Sequence, residues 1–210
     1  MEFIVKPMEI ETKSMQLIAP YLTATAYSEE EKKIVSRMIH AAGDPDYANH
    51  VEIHPGAIAA GKQALLGGAD IYTDVEMVRT GINKTILAAL GGSVHCRIAD
   101  ADIAATAKAG GITRSMAALR SFGKALDGQI IAIGNAPTAL FEVIRLMQEE
   151  NLRPALIIGI PVGFVGAAES KQYLSEVSPV PFITVKGTKG GSPIAASAVN
   201  ALLYLLRERD

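Results

Sequence analysis

The sequence predicts an α/β fold, with a mostly parallel central sheet and helices on both faces in a Rossmann-like, three-layer architecture. In the second half of the 210-residue chain, one pattern occurs three times: a short apolar run, a turn that contains glycine, and a helical stretch. The apolar runs are 130–133, 156–160 and 182–185. Such short, uniformly apolar runs are typical of parallel strands that are covered on both faces. Their alternation with helices implies right-handed crossovers.

Two helices are predicted before residue 45. The first runs from Ile10 to about Tyr21, and its apolar stripe comprises Ile10, Leu17, Ile18 and Tyr21. The second begins at Ser28 and Glu31, which have the spacing of a capping box. Gly43 is expected to end this helix in a left-handed turn, and the proline of residues 44–46 prevents its continuation.

The remaining segments alternate between short strands and helices. Strands are predicted at 51–54, 69–73 and 94–98, and helices at 55–66, 100–109 and 113–126, with a helical turn through Val78. The last helix is predicted to begin near Ser192-Pro193 and to run to about Arg207. Because no charge run, low-complexity tract or proline-rich linker divides the chain, we expect residues 1–210 to form a single domain.

The composition excludes several classes of protein. A net charge of −2 and an aromatic content of 5% argue against a nucleic-acid-binding surface. The N-terminal residues 1–7 lack the pattern of a signal peptide, and no apolar run approaches ~18 residues, so no membrane segment is expected. The single cysteine, Cys96, excludes an internal disulfide and fits a reducing compartment. We therefore expect a cytoplasmic protein.

The glycine turns indicate a binding crevice for an anion. Ligands of parallel sheets bind beyond the carboxyl ends of the strands, where turns and helix N-termini offer free N–H groups. The last turn adds Lys186, Lys189 and Ser192, and Thr113-Arg114 offers another set of donors. The alternative for the last turn is a flexible, solvated loop. Residues 169–171 are expected to form a solvated helix start.

His40 is the candidate acid. It lies in the last turn of the second predicted helix, where the helix carbonyls favour a cation, and the unperturbed imidazole pKa is about 6.5. This position suits a general acid near neutral pH. The alternative is a histidine that only caps the helix carbonyls.

Metal and nucleotide motifs are incomplete. Neither His-Glu-x-x-His nor a paired-cysteine spacing occurs, so no protein-bound metal is expected. Residues 56–63 nearly match a phosphate loop, but Gln63 replaces the Ser or Thr that binds Mg²⁺. The turn after 130–133 keeps only the first glycine of the dinucleotide fingerprint. A nucleotide-dependent α/β enzyme is therefore the weakest alternative.

The chain resembles the precorrin-8X methylmutase family in residue order along nearly its whole length. The matching stretches are Pro7-x-x-Ile10-Glu11-x-x-Ser14, Arg37-Met38-Ile39-His40-Ala41, Ala69 to Val78, Gly110-Gly111-Ile112-Thr113-Arg114-Ser115, Gly134 to Ala139, Pro161-Val162-Gly163-Phe164-Val165, Glu169-Ser170-Lys171 and Lys189-Gly190-Gly191-Ser192. This ordered set is far more specific than any one motif.

The resemblance implies an isomerase that moves a methyl group from C-11 to C-12 of a tetrapyrrole, with no redox or nucleotide cofactor. It makes His40 the catalytic residue, which protonates the macrocycle, and Ser14 and Arg114 substrate contacts. The acetate and propionate groups of the family substrate account for Arg114, Lys186 and Lys189. Asn83 stands where the family often has a hydroxyl residue that contacts the substrate, and its amide can still donate that hydrogen bond. A homodimer with the ligand near the subunit interface is implied as well.

Two points remain open at this level. The substrate is either metal-free or holds cobalt, and that cobalt would enter with the substrate. A tetrapyrrole carrier without catalysis on the same scaffold is the alternative to the enzyme.

Overall fold

The computed structural model describes residues 4–207, and the described part of the chain forms helices around one six-stranded sheet. Residues 1–3, on which the expected absence of a signal peptide partly rests, lie outside this range. The strands are β1 (Val51–Ile53), β2 (Ile71–Thr73), β3 (Val94–His95), β4 (Ile130–Ile133), β5 (Leu156–Gly159) and β6 (Phe182–Val185). The helices are α1 (Pro7–Leu22), α2 (Glu29–Ala42), α3 (Tyr47–His50), α4 (Ala57–Leu66), α5 (Glu76–Gly81), α6 (Lys84–Ala89), α7 (Ala101–Gly110), α8 (Arg114–Phe122), α9 (Pro137–Glu149), α10 (Ala167–Val177) and α11 (Ser192–Arg207).

The strand order is β1-β6-β5-β4-β2-β3, and only β1 runs antiparallel to its neighbour. The prediction of an α/β fold with a mostly parallel sheet is therefore confirmed. The prediction of a single domain over residues 1–210 stays a prediction.

Both faces of the sheet are covered, which explains why its central strands are uniformly apolar. In β4, Ile130 and Ala132 belong to the core beneath α2, α4 and α11, whereas Ile131 and Ile133 belong to the core beneath α8, α9 and α10. Alternate residues of a strand point to opposite faces, so a strand between two helical layers needs apolar residues at every position. All four of these side chains are fully buried.

Helix α2 begins and ends as the sequence predicts. The Ser28 side chain accepts a hydrogen bond from the Glu31 N–H, and the Glu31 carboxylate accepts one from the Ser28 N–H. At the other end Gly43 adopts a left-handed conformation with φ of 64°, and its N–H donates to the Ile39 carbonyl. Because this end is fixed, the position of the last turn of α2 is well defined.

The predicted apolar stripe of α1 is wrong in part. Ile18 is buried, but Ile10, Leu17 and Tyr21 are exposed, and Leu22 is buried instead. Helix α1 packs mainly on α2, so a narrow face of α1 is covered. A wide stripe would need a second neighbouring element.

The predicted C-terminal ends of one strand and one helix also lie beyond those in the structure. Strand β3 ends at His95, short of the predicted residue 98, because Cys96 and the residues after it have no strand partner in the described sheet. Helix α8 ends at Phe122, and residues 123–126 continue as a 3₁₀ turn. Helices α3 and α6 were not predicted, since four and six residues are too few to show a periodic pattern.

Candidate functional site

The candidate site lies at the carboxyl ends of the parallel strands, where the end of α2 faces the segment that follows β6. We call residues 134–136 the β4 turn, residues 160–166 the β5 turn and residues 186–191 the β6 loop. A shallow depression of about 300 Å³ is lined by Ala41, Ala42, Asp44, Tyr47, Lys189, Gly190, Pro193 and Ile194. The last turn of α2 and the β6 loop therefore both line one depression.

His40 lies in the last turn of α2, directly before a residue that lines this depression. Its side chain is exposed, and it makes no hydrogen bond or ion pair with any residue between 4 and 207. The last-turn carbonyl of Ile39 is already bound by the Gly43 N–H at 2.8 Å. The imidazole is thus free to meet a ligand, and the described contacts do not include the carbonyl cap that was the alternative.

The β6 loop is held closely against the β5 turn. Gly190 has φ of 153°, and a Cβ there would lie 2.6 Å from the Pro161 carbonyl oxygen and 2.7 Å from that of Ile160. The Gly191 N–H donates to the Ile160 carbonyl at 3.0 Å. The backbone of this loop is consequently anchored, and it does not form the flexible, solvated turn that was the alternative.

Lys189 connects the β6 loop to the segment after α2. Its ammonium lies 2.5 Å from Asp44 Oδ2 and 2.8 Å from Asp46 Oδ2, and 5.6 Å from the centre of the Tyr47 ring. Hydrogen bonds from this ammonium lower the pKa of both carboxyls. Lys189 is therefore paired within the protein, and its contact with a substrate carboxylate stays a prediction.

Lys171 lies behind the β6 loop. The expectation of a solvated helix start at residues 169–171 is wrong for two of these three residues. Ser170 and Lys171 are buried, and the Lys171 ammonium donates a hydrogen bond to the Lys189 carbonyl. No carboxylate within the described chain pairs with it, and burial lowers its pKa to about 8. A cavity of about 430 Å³ lies beside it, lined by Glu52, Ala168, Lys171, Gln172, Ser175, Glu176, Thr184, Lys186 and Gly187.

Asp74, directly after β2, holds the β4 turn. Its buried carboxylate accepts hydrogen bonds from the N–H groups of Gly134 at 3.0 Å, Asn135 at 2.9 Å and Ala136 at 2.7 Å. Burial raises the pKa of this carboxyl, and the three backbone donors act in the opposite direction. The same turn approaches the start of α11, because a Cβ at Gly134 would lie 2.7 Å from the Ser192 Cα.

Of the predicted substrate contacts, Arg114, Lys186 and Ser192 lie at this edge of the sheet. Arg114 is the exposed first residue of α8, and the neighbouring Thr113 hydroxyl is 2.9 Å from that of Thr138 at the start of α9. Lys186 is exposed, and its ammonium is 3.9 Å from Glu52 Oε2. Ser192 is buried at the start of α11.

The structure does not bring Ser14 and Asn83 into this group. The Ser14 hydroxyl donates to the Ile10 carbonyl within α1 at 2.9 Å. The Asn83 side chain caps α6 by accepting from the Ile86 N–H at 3.1 Å, and its own N–H donates to Asn200 of α11. Their roles as substrate contacts stay predictions.

The sequence reasoning missed Asp74 and Lys171 as determinants of the site. Asp74 directly follows a short apolar strand, and a charged residue in that position was the available signal. Lys171 had no clear signal, because its neighbours read as an ordinary polar helix start. Among residues 4–207, no group of three or more His, Cys, Asp or Glu side chains is arranged to hold a metal ion. None of the helices in this range has both the length and the apolarity needed to cross a bilayer.

Replacing Asp74 with Asn should lower the free energy of unfolding by about 2–3 kcal/mol. The Asn side chain is uncharged and has one acceptor oxygen, so it cannot accept all three hydrogen bonds from the N–H groups of the β4 turn. Urea denaturation followed by circular dichroism measures this change. Asp102→Asn is the matched control, because Asp102 is an exposed partner of Arg97 and such surface pairs are worth about 0–1 kcal/mol. Equal destabilisation by both variants would contradict the assigned role of Asp74.

The Lys189 ion pairs should make stability depend on pH in the acid range. Because the pKa of Asp44 and of Asp46 is lowered in the folded state, the pairs stabilise the fold above the unfolded-state pKa of about 3.9 and lose this effect as pH falls through the lower folded values. Lys189→Met should therefore melt a few degrees below the wild type at pH 6, and the difference should shrink below pH ~4. Melting curves from pH 3 to pH 6 test this, and a difference that stays constant would contradict it.

Comparison with known proteins finds relatives along almost the whole chain. The family model described as precorrin-8X methylmutase matches residues 9–205. A cobalt-precorrin-8 methylmutase of Priestia megaterium is 43% identical over 201 residues, which cover 96% of this chain and 89% of the relative. A precorrin-8X methylmutase of Pseudomonas aeruginosa is 46% identical over 172 residues, which cover 81% of this chain and 82% of the relative.

A solved structure shows the same fold. The precorrin-8X methylmutase of Thermus thermophilus matches with a TM-score of 0.87 and 35% identity, covering 95% of this chain and 98% of that one. These matches include the segments that form the candidate site, from the end of α2 to the start of α11. The chain is therefore an isomerase of the methylmutase type and belongs to the precorrin-8X methylmutase family.

Proposed function

We propose that this enzyme acts in cobalamin biosynthesis and moves one methyl group from C-11 to C-12 of precorrin-8X or cobalt-precorrin-8. The product is hydrogenobyrinate or cobyrinate. The bond from the methyl carbon to C-11 breaks and the bond to C-12 forms within one molecule, so the reaction has no net gain or loss of atoms or electrons. Relatives named for the two substrates match this chain at similar identity, 43% and 46%. Both the metal-free and the cobalt-containing substrate are therefore part of the proposal.

His40 is proposed as the acid that protonates the macrocycle and eases the migration, and the macrocycle gives one proton back after the shift, so that substrate and product remain isomers. The observation that carries this assignment is an exposed imidazole, unpaired within residues 4–207, at the end of α2 beside the depression at the carboxyl edge of the sheet. This is the edge at which parallel sheets bind their ligands. A proton donor needs this freedom, because a side chain already bound to the protein would have to release its partner first.

Cationic and N–H groups at the same edge are proposed to bind the acetate and propionate groups of the substrate. Arg114 has no ion pair within the described residues, so its guanidinium can bind a carboxylate through two hydrogen bonds. Lys186 projects from the β6 loop with most of its side chain exposed. Lys189, Ser192, Ser14 and Asn83 complete the proposed set of substrate contacts.

No redox or nucleotide cofactor is proposed, because an intramolecular methyl shift neither consumes nor releases electrons. Any cobalt is part of the substrate. We place the reaction in the cytoplasm, since a lone, half-buried cysteine fits a reducing compartment.

The enzyme is also proposed to work as a homodimer, with the ligand near the subunit interface. The β5 turn carries three exposed apolar side chains, namely Val162 at 42%, Phe164 at 93% and Val165 at 89% exposure. Large apolar side chains that protrude together from a loop are typical of interaction sites. Because this turn adjoins the β6 loop, a second copy that covers it would also border the candidate site.

Replacing His40 with Ala should lower kcat by ~10²-fold or more while substrate binding is retained, since a general acid contributes about that factor. The purified protein is incubated with metal-free and with cobalt-containing precorrin-8, and the visible spectrum is followed, because the methyl shift changes the conjugation of the ring. His54→Asn is the matched control, because His54 lies at the other end of the strands, where its backbone N–H donates to the carbonyl of Phe182, the first residue of β6. Binding without conversion by the wild type would instead indicate a carrier protein.

Replacing Phe164 with Asp should weaken self-association by about 30-fold or more, because a charge would be buried where an aromatic side chain packed. Sedimentation velocity over a range of concentrations measures the dimer. Leu66→Asp is the control, since Leu66 is an exposed apolar residue of α4. A wild-type protein that sediments as a monomer would contradict the homodimer, and an unchanged Phe164→Asp dimer would contradict this interface.

A further inference from the structure

We propose that Lys171 is a positioning residue for His40 and that it acts through the β6 loop. Three successive contacts connect the two side chains, from α10 to the β6 loop, from the β6 loop to residues 44–46, and from there to the end of α2. The kinetic part of this inference rests on the proposed function, whereas the structural coupling does not.

The first contact ties α10 to the β6 loop. The Lys171 ammonium donates to the Lys189 carbonyl, and Lys171 is 1% exposed. Glu52 and Glu176 line the same cavity, yet within the described chain no carboxylate forms an ion pair with Lys171. Burying an ammonium is costly, and an apolar side chain would fill the same space without that cost. The advantage of a lysine at this position is therefore the hydrogen bond from its ammonium to the β6 loop.

The second contact uses the other end of the same residue. The Lys189 carbonyl is held by Lys171, and the Lys189 ammonium is held by Asp44 and Asp46. The Tyr47 hydroxyl adds a longer hydrogen bond of 3.5 Å to the Gly190 carbonyl. Since Lys189 is fixed at both its backbone and its side chain, displacement of its carbonyl also displaces the residues that its ammonium binds.

The third connection is the polypeptide chain between Asp44 and the end of α2. Asp44 follows Gly43, the left-handed residue that ends α2, and His40 lies four residues before Asp44. Helix α2 also packs along α11, which begins immediately after the β6 loop. A shift of this loop therefore reaches the last turn of α2 through residues 44–46 and through the start of α11. Loss of the Lys171 ammonium should move His40, although the two residues belong to different elements.

Lys171→Met tests the coupling without any substrate, because Met keeps a similar volume and loses the donor. In ¹H–¹³C spectra, with His40 assigned by the loss of its signal in His40→Asn, the imidazole resonance of His40 should move by more than its line width. The resonances of His54 and His95 should stay in place. Lys108→Met is the matched control, since Lys108 is exposed on α7, and it should move none of them.

Kinetics provides the second readout. Lys171→Met should lower kcat by ~10- to 100-fold, a loss typical of a displaced catalytic group. Lys171→Gln, which keeps an N–H donor, should recover part of it. The pair Asp44→Asn/Asp46→Asn should lower kcat to a similar extent, and adding Lys171→Met to that pair should cause no further loss, because coupled sites are not additive.

Several results would overturn the proposal: an unmoved His40 resonance in a folded Lys171→Met protein, losses in kcat that multiply when the variants are combined, or the failure of both Lys171→Met and Lys171→Gln to fold. The last outcome would assign Lys171 to stability alone. If the wild type converts neither substrate, the proposed function fails, and the resonance of His40 still decides the coupling.

Discussion

The burial of both faces of the sheet is the constraint on which the rest of this structure depends. Every residue of β4, β5 and β6 is buried, so the side chains of these three strands offer little surface to a ligand. The charged groups of the candidate site accordingly follow the strand ends, as Asp74 and Lys189 do, or lie on a helix beside them, as Lys171 does. Polar atoms buried in the strands need hydrogen-bond partners within the protein. The Thr184 hydroxyl, for example, donates a hydrogen bond to the Gly159 carbonyl at 2.5 Å.

Two charged side chains near the carboxyl ends of the strands form hydrogen bonds with backbone groups of neighbouring turns. Asp74 binds three N–H groups that follow β4, and Lys171 binds a carbonyl that follows β6. The two side chains carry opposite charges, but each connects its own element to the backbone of a turn that follows a different strand. The Asp74 contacts hold the β4 turn next to the end of β2, and the Lys171 contact holds the β6 loop, which lines the depression beside His40.

The sequence predicts well whatever depends on local pattern. The strands β4 to β6 are continuous apolar runs, and α2 has both its capping box and its terminal glycine within a few residues of its ends. The buried face of α1 could not be predicted, because it depends on which side α2 covers.

Distance along the chain limits what could be predicted of the site. The end-of-helix position of His40 is a local feature and was predicted, with the family resemblance adding its role. The partners of Asp74 lie about 60 residues away and those of Lys189 about 145, so no local pattern identifies them. Lys171 reads as a solvated residue for the same reason, since its acceptor belongs to another element.

The two outer strands are short, and this limits how copies of the protein can associate. β1 contributes three residues and runs antiparallel to β6, and β3 at the opposite edge contributes two. Such edges present few unpaired N–H and carbonyl groups, so they are poor templates for adding a strand from another chain. Association by sheet extension, the usual route to β-aggregates, is thereby disfavoured, and contacts between copies would be made by helices and loops.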